Sequence, residues 1–510
     1  MTVLRYQDYA STREFQADVA VVGTGAGGAV VGAELAEAGF DVVFVEEGAY
    51  HATSTFNPYL KESAPRLYRD AGTTTILGTA LIGYLEGRCV GGSTVINGGM
   101  AYRAPESVLR HWEEVTRASE LSPKAMEPLY ARIEERVHAQ YQMRESVGGD
   151  NRVMREAARR KGWNFTENRR NQDRCTGANN CVLGCPTGGK QSTLVSYIPR
   201  ALEAGARCLT EVRADRLLIE DGACAGVTGR AIDPSTMKKT HRVTVRAKAV
   251  VVAAGAVQTP YLLLRHKLGR PSGQLGKNFL CHPNVKVIAA FPFEVKGWKG
   301  VSQWGQMRAL RQEGILFAEN MVPPAALGTQ LPFVGGKAWE LMRRYNNMVV
   351  SGALIEDSTT GVVKRGPFGM ALPRYEITAY DLERILKAAR ILAEMFFDLG
   401  ATDVLLPFSN LHLVHSPDEL KQLVPEKIQR KHVDLFTAHI MGTARMGSEA
   451  DRSVVDLKGE LWDLKGCYVA DASIFPSAIG VNPQITIMAL ATMIGWRLAE
   501  TLKHPGRKVA

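Results

Sequence analysis

Residues 18–47 constrain this chain more than any other stretch. "DVAVV", residues 18–22, is apolar and β-branched, as a strand buried on both faces of a parallel sheet must be. It runs directly into "GTGAGG", with Gly23, Gly25 and Gly28, and then into the helical pattern "AVVGAELAEAG", which closes at Gly39. A second apolar strand, "DVVFVEEG", ends in Glu46 and Glu47. Strand, glycine turn, helix, strand and acid, in that order, form the unit that sets backbone N–H groups at a helix N-terminus against a pyrophosphate and an acid against a ribose diol. The chain is therefore expected to open with an α/β dinucleotide-binding domain. Glu46 ends the strand directly and is the expected ribose ligand, whereas Glu47 is expected to be solvated. The unit does not specify which dinucleotide it holds.

The rest of the chain bounds the setting. At 510 residues it has room for more than one region around that unit. The net charge of +10 is mild for this length; it admits an acidic partner or an anionic membrane surface without demanding one, and no nucleic-acid partner is expected. The start, "MTVLRYQDYASTREFQ", lacks the apolar core of a signal peptide. The tract "ITIMALATMIGW" stops at Arg497, short of a bilayer span, so no transmembrane segment is expected. The expected location is cytoplasmic or peripheral to the membrane, with export alongside a partner subunit left open.

Three further stretches carry a resemblance. "RCVGGSTVING", residues 88–98, is similar to the first signature of the glucose-methanol-choline (GMC) flavoprotein oxidoreductases, and "GAVQTPYLLL", residues 255–264, to the second. The tail "HIMGTARMG", followed by "YVADASIFPSAIGVNPQITIMALA", resembles the C-terminal block of that family, most of all in its long-chain alcohol oxidases and dehydrogenases. The resemblance implies a Rossmann-type FAD-binding domain with a second α+β substrate domain built on an antiparallel sheet. Residues 1–285 would form the FAD-binding domain, with inserted segments at 51–174. Residues 286–430 would form the substrate domain, and 431–510 would return to the first domain carrying the catalytic block.

The same resemblance implies the cofactor contacts. FAD would be held without a covalent link, because the loop where some members carry a linking histidine reads Val95, Ile96 and Asn97 here. Arg88, Gly91, Gly92, Ser93 and Asn97 would lie against the flavin and its pyrophosphate. Val212 would hold the adenine through its backbone, and Ala254 and Gly255 would let a strand end pass close to the dinucleotide. Asp471 and Ala472 would sit near the ribityl chain or pyrophosphate. Pro483 would open a helix whose positive end faces the flavin's pyrimidine ring.

The tail also carries the chemistry. Removing hydride from an alcohol needs a base for the hydroxyl proton and a sink for the electrons. His439, with an ordinary pKa of ~6.5, is the expected base, and Asn482 the amide that orients the hydroxyl. In the middle region, "ITAYDLERILKAARILAEMFFDLGA" is an amphipathic helix ending at Gly400, and "FPFEVKGWKGVSQWGQM" and "MVVSGALIED" read as strands. Phe291, Phe293, Trp298, Trp304, Met307, Phe317 and Phe333 are available either to line a greasy pocket or to fill a core. With no charged cluster there, the expectation tilts toward a hydrophobic, long-chain or sterol-like alcohol.

"CTGANNCVLGCP" sets Cys175, Cys181 and Cys185 with five and then three residues between them. The spacing is similar to that in iron–sulfur sugar dehydrogenases of the same family, which implies a three-iron, four-sulfur cluster; free thiols in a packed loop remain the alternative. A cluster would make a dehydrogenase passing electrons to a cytochrome or quinone, for which the basic run at residues 152–174 offers a docking surface. Without one, oxygen is the simpler acceptor. The readings carried forward are an FAD-dependent alcohol dehydrogenase or oxidase, an iron–sulfur sugar dehydrogenase of the same family, and a non-enzymatic flavin-binding sensor. The pairing of His439 with Asn482 argues against the last.

Overall fold

The computed structural model describes residues 2–504 except Ala10. A nine-stranded sheet grows around Arg13–Val22, the strand that leads into the glycine turn. Parallel to it run Val42–Val45 on one side and Lys239–Val252 on the other. Arg207–Leu209 and Thr2–Leu4 extend the first side, again in parallel. Lys239–Val252 also pairs in parallel with Leu464–Val469, so the tail of the chain returns to the first sheet. Val212–Glu220 and Ala223–Ile232 form an antiparallel hairpin beside it. The central strands are buried on both faces, which accounts for their unbroken runs of Val and Ala.

Helix Gly28–Glu37 packs on this sheet and against helices Tyr197–Glu203 and Gln484–Lys503. The last of these runs past Arg497 to 20 residues, longer than the apolar tract suggested. By length and composition it is the one helix among the described residues that could cross a bilayer. It is mostly buried inside the fold instead, against Gly28–Glu37 and Pro123–Arg136.

A second, ten-stranded sheet is largely antiparallel. Its core is Asn284–Ala290 paired with Met348–Ile355, which pairs with Ile315–Glu319. Ile82–Tyr84, Leu435–Thr437 and Phe165–Glu167 join it from distant parts of the chain. The amphipathic helix covers one face as Ala379–Asp398. Thr378 Oγ1 and Asp381 cap its first turn reciprocally, and Gly400 follows its end at φ +88°. Of the expected strand at residues 291–307, only Gly305–Met307 forms. Pro292 cannot donate to a ladder, and Gly300, at φ +101°, lets the backbone at Val147 come too close for any side chain.

The aromatic residues available for a pocket went elsewhere. Phe291, Met307 and Phe317 are buried in the core of the second sheet, and Phe293 and Trp298 are exposed.

Candidate functional site

One cavity of about 570 Å³ lies between the two sheets and reaches from the glycine turn to His439 and Asn482. At its first end the turn is shaped by contacts that exclude side chains. A Cβ at Gly27 would stand 1.6 Å from the Ala470 carbonyl oxygen, and Gly27 lines the cavity, although the sequence pattern drew attention to its neighbours. Gly23 and Gly25 line it too. Gly28 does not; a Cβ there would stand 2.1 Å from the Gly23 carbonyl oxygen, so its role is to let the helix sit on the turn.

Thr24, between the glycines, is the knot of this end. Its backbone N–H and its hydroxyl donate to Glu46 Oε2 at 3.0 and 2.6 Å, and its Oγ1 accepts from Gly91 N at 3.0 Å. Glu46 Oε1 accepts from Gly48 N at 2.8 Å. Three of the roughly four acceptor positions of the carboxylate are thus taken, leaving one for a ribose hydroxyl. Burial pushes the Glu46 carboxyl up. Glu47, expected in solvent, is instead half-buried and accepts two hydrogen bonds from Arg69, at 3.2 and 2.9 Å, with Arg213 3.7 Å away. Burial alone would raise Glu47; Arg69 and Arg213 outweigh it and bring the carboxyl down to about 2.

The "GGSTVING" loop folds over the turn. Gly92 and Ser93 line the cavity, and Gly91 lies behind them, bonded to Thr24. Arg88 is not part of the wall. Asn97 lines the cavity, accepts from Gly99 N at 3.0 Å and donates to Gln484 Oε1. Val212, Ala254 and Gly255 line it as well, with the Val212 N–H already given to Glu46 O at 2.9 Å. Asp471 ties the strand ends together: Oδ2 accepts from Gly255 N at 2.8 Å and Thr259 Oγ1 at 2.5 Å, and Oδ1 accepts from Ser473 N at 2.8 Å. Ala472 lies beside it in the wall.

This end fits a dinucleotide carrying a flat ring system. The helix at Gly28 and the helix at Gln484 both begin without a side-chain cap, so no side chain competes with a ligand for the positive ends of these helices, although Ala29 N–H is given to Gly25 O at 3.1 Å. Pro483 occupies the second cap position and lines the cavity. Gln484 Nε2 is buried in the wall with no hydrogen-bond partner among the described residues, an unpaired donor that a ring carbonyl would satisfy.

At the other end, Leu435–Thr437 delivers His439. Thr437 Oγ1 donates to Cys281 O and accepts from His439 N, the latter at 3.0 Å. His439 Nε2 lies 3.0 Å from Asn482 Nδ2, across 43 residues of chain. Burial pushes the His439 imidazolium down to about 4, well below the ordinary value expected from sequence, so the ring is neutral at neutral pH. Its other nitrogen meets a residue the sequence reading missed. His282 is fully buried, with Nδ1 3.5 Å from His439 Nδ1 and the rings edge to face. Gly480 N donates to His282 Nε2 at 3.2 Å, and Asp357 Oδ2 stands 3.8 Å from the same nitrogen. Asp357 accepts from Cys281 N and His282 N at 2.9 Å each, and burial raises it to about 6. "CHPNV" had no local signal for this role; it arises only when the two sheets close on each other.

Cys175, Cys181 and Cys185 do not converge on a common point. Among the described residues, no three or more His, Cys, Asp or Glu side chains are grouped to hold a metal ion. Each end of the cysteine loop is tied to its own partners: Cys181 Sγ accepts from Arg170 Nη2 at 3.6 Å, and Cys185 Sγ from Lys190 N at 3.3 Å. The iron–sulfur expectation drawn from spacing is corrected accordingly. What the loop does is close the cavity, through Val182 and Leu183. Lys190, buried, pins it there by donating to the carbonyl oxygens of Cys181, Val95 and Asn97 at 2.7, 2.6 and 2.7 Å. The basic run before it is largely spoken for: Arg159 and Arg160 pair with Glu156, Arg169 with Glu134, and Arg170 is buried.

None of the seven aromatic and sulfur side chains available for either a greasy pocket or a core lines the cavity. Leu316, Leu354 and Phe436 do, together with the polar Asn284, Lys286 and Asn320.

Comparison with known proteins adds identity to this geometry. Residues 64–284 and 362–491 match the N- and C-terminal family models described as GMC oxidoreductase. An uncharacterized GMC-type oxidoreductase of Mycobacterium tuberculosis is 33% identical over 94% of this chain and 75% of its own length. Another, from Sinorhizobium fredii, is 31% identical over 98% of this chain and 97% of its own. The long-chain-alcohol oxidase FAO4B of Arabidopsis thaliana is 28% identical over 96% and 68%. Among solved structures, pyridoxine 4-oxidase from Mesorbium loti superposes with a TM-score of 0.71 at 17% identity, over 94% of this chain and 98% of that one. At that identity the likeness is one of fold.

Proposed function

The chain belongs to the GMC oxidoreductase family, and from that premise we propose that it binds FAD without a covalent link and oxidises a long-chain alcohol to an aldehyde or ketone. The observation that carries this reading is a single cavity joining the glycine turn to the His439–Asn482 pair. When bound, the flavin supplies the acceptor for the hydride. The chain's own residues do the rest. His439, kept neutral by burial, presents a lone pair at Nε2 for the hydroxyl proton. Asn482, 3.0 Å from that nitrogen, holds the hydroxyl in line with it without competing for the proton. His282 fixes the plane of the His439 ring from behind. The uncapped start of Gln484–Lys503 brings the positive end of a helix to the same wall, where negative charge would be stabilised.

The long-chain assignment draws on the alcohol oxidases of Arabidopsis thaliana and on the apolar Leu316, Leu354 and Phe436 in the wall. Oxygen is the acceptor we assign, on the same relatives. Purified protein should be yellow, bleach anaerobically with n-octanol or longer alcohols, and form peroxide when air is readmitted. A colourless protein that takes up no FAD would remove the reading. Bleaching that is reversed by dyes or quinones, with no peroxide in air, would replace the oxidase assignment by a dehydrogenase.

A further inference from the structure

The substrate end of the cavity is walled by three paired strands. Asn284 stands opposite Leu354, and Leu354 opposite Leu316; one pleat further, Lys286 stands opposite Gly352, and Gly352 opposite Ala318. All six line the cavity. Because side chains alternate across a strand, these two rows share the cavity face. The first row is filled by two leucines. The second carries a lysine beside a hydrogen and a methyl group, so a notch opens next to its ammonium.

Lys286 is half-buried, and among the described residues no carboxylate forms an ion pair with its ammonium. Lys286 Nζ donates to Gln330 Oε1, a neutral amide, at 2.6 Å and lies 4.0 Å from the centre of the Phe436 ring. Burial is the sole influence on its charge and brings it down to about 7, with no acid acting against it. The other polar groups of this wall include the amides Asn284, Asn320, Gln303 and Gln330 and one acid, Glu319, which burial holds well above the ordinary carboxylate range and which forms no ion pair with Lys286. A lysine held in a cavity without a counter-ion is costly unless a ligand brings the negative charge. The glycine turn and its uncapped helix start belong to the other sheet, so the pyrophosphate of a dinucleotide is provided for elsewhere. Asn284 lies opposite Phe436, three residues before His439. Lys286 lies about 7 Å further along the strand.

We propose that the alcohol taken by this site is a hydroxy acid, its carboxylate seated in the Gly352–Ala318 notch against Lys286 and its hydroxyl at His439. A single ammonium with one amide beside it suits a singly charged carboxylate better than a phosphate, which draws on several N–H donors. The apolar row between the two ends spans the carbon chain. This names the substrate class of the alcohol-oxidising reading and rests on it.

The test compares ω-hydroxyoctanoate with n-octanol as substrates and adds octanoate as a ligand that cannot react. In the wild type, kcat/KM should favour the hydroxy acid, and octanoate should bind to the flavin-loaded protein by calorimetry. In Lys286→Met the preference should fall about 10- to 100-fold, mostly through KM, with octanoate binding weakened in step. Lys286→Arg should keep both, which separates loss of charge from loss of fold. Equal preference and equal octanoate binding in wild type and Lys286→Met would overturn the proposal, as would a wild type that favours n-octanol. Octanoate binding that Lys286→Met abolishes, in a protein that oxidises neither alcohol, would leave the carboxylate site standing and remove the alcohol-oxidising reading instead.

Discussion

The two ends of the cavity are built by different rules. The cofactor end is made from main chain: glycines that exclude a Cβ, helix starts left uncapped, and a threonine and a glutamate that hold neighbouring turns together. Its central unit lies within residues 18–47, although Gly91, Gly255, Asp471 and Gln484 join it from far along the chain. The reacting end is made from side chains: His282 and Lys286 come from one stretch of chain, and His439 and Asn482 reach them from two others far along it. The comparison teaches that the first end should fail as a whole when its backbone is displaced, whereas the second should lose one function at a time.

The sharpest way to break that contrast is Gly27→Val. With 1.6 Å between the new Cβ and the Ala470 carbonyl oxygen, the turn cannot close, and the protein should carry no flavin absorbance at all. A yellow Gly27→Val protein would show that the turn is not the cradle. His439→Ala is the counterpart at the other end. It should keep its flavin and slow anaerobic reduction by alcohol about 10²- to 10⁴-fold in stopped flow. If flavin were lost as well, the two ends would not be separable.

The pH dependence sharpens the picture of the base. His439 must be neutral to accept a proton, and burial holds it at about 4. The reduction rate should therefore stay level from neutral pH down to about 5 and fall only as the ring is protonated below that. An inflection near ~6.5 would mean that the ring is open to solvent. A smaller effect is expected from Thr24→Val, which strips one hydroxyl from Glu46 and one acceptor from Gly91. Flavin affinity should drop about tenfold, as loss of about 1–2 kcal/mol of hydrogen bonding requires, with the rate of reduction in the loaded protein little changed. The smallest effect belongs to the cysteines. Replacing Cys175, Cys181 and Cys185 together with serine should leave flavin content and alcohol reduction close to wild type. A collapse of turnover accompanied by loss of protein-bound iron would restore the electron-carrying reading.

What could be read from sequence follows the same division. The strand, turn and helix at residues 18–47 announce themselves because their pattern is complete within one short stretch, even though Gly27 packs on Ala470, and helix Ala379–Asp398 carries its cap and its stop in its own or adjoining residues. His282 had no such signal: its partner lies 157 residues away. Glu47 looked solvated because Arg69 and Arg213 reach it from other elements. Of the aromatic residues of the middle region, Phe291, Trp304 and Phe317 are buried in the core, Phe293 and Trp298 are exposed, and none lines the cavity. The cysteine spacing was suggestive, yet spacing along a chain does not set the direction in which thiols point.

The histidine pair has a consequence for the bookkeeping of protons. Two neutral imidazoles own two protons between four nitrogens. Gly480 N–H addresses the outer nitrogen of His282, and the Asn482 amide that of His439. Only one of the two inner nitrogens can carry its hydrogen, because two N–H groups would otherwise face each other across 3.5 Å. When the Nε2 lone pair of His439 is open to the cavity, the hydrogen of that ring is at Nδ1 and His282 must accept it, which moves the hydrogen of His282 to Nε2, beside Gly480 N and 3.8 Å from Asp357 Oδ2. When Gly480 N–H is accepted instead, the hydrogens of both rings shift one place toward the cavity. The tautomers of the two rings are thus coupled, and the state of the base in the cavity is tied to a backbone hydrogen bond on the far side of a second ring.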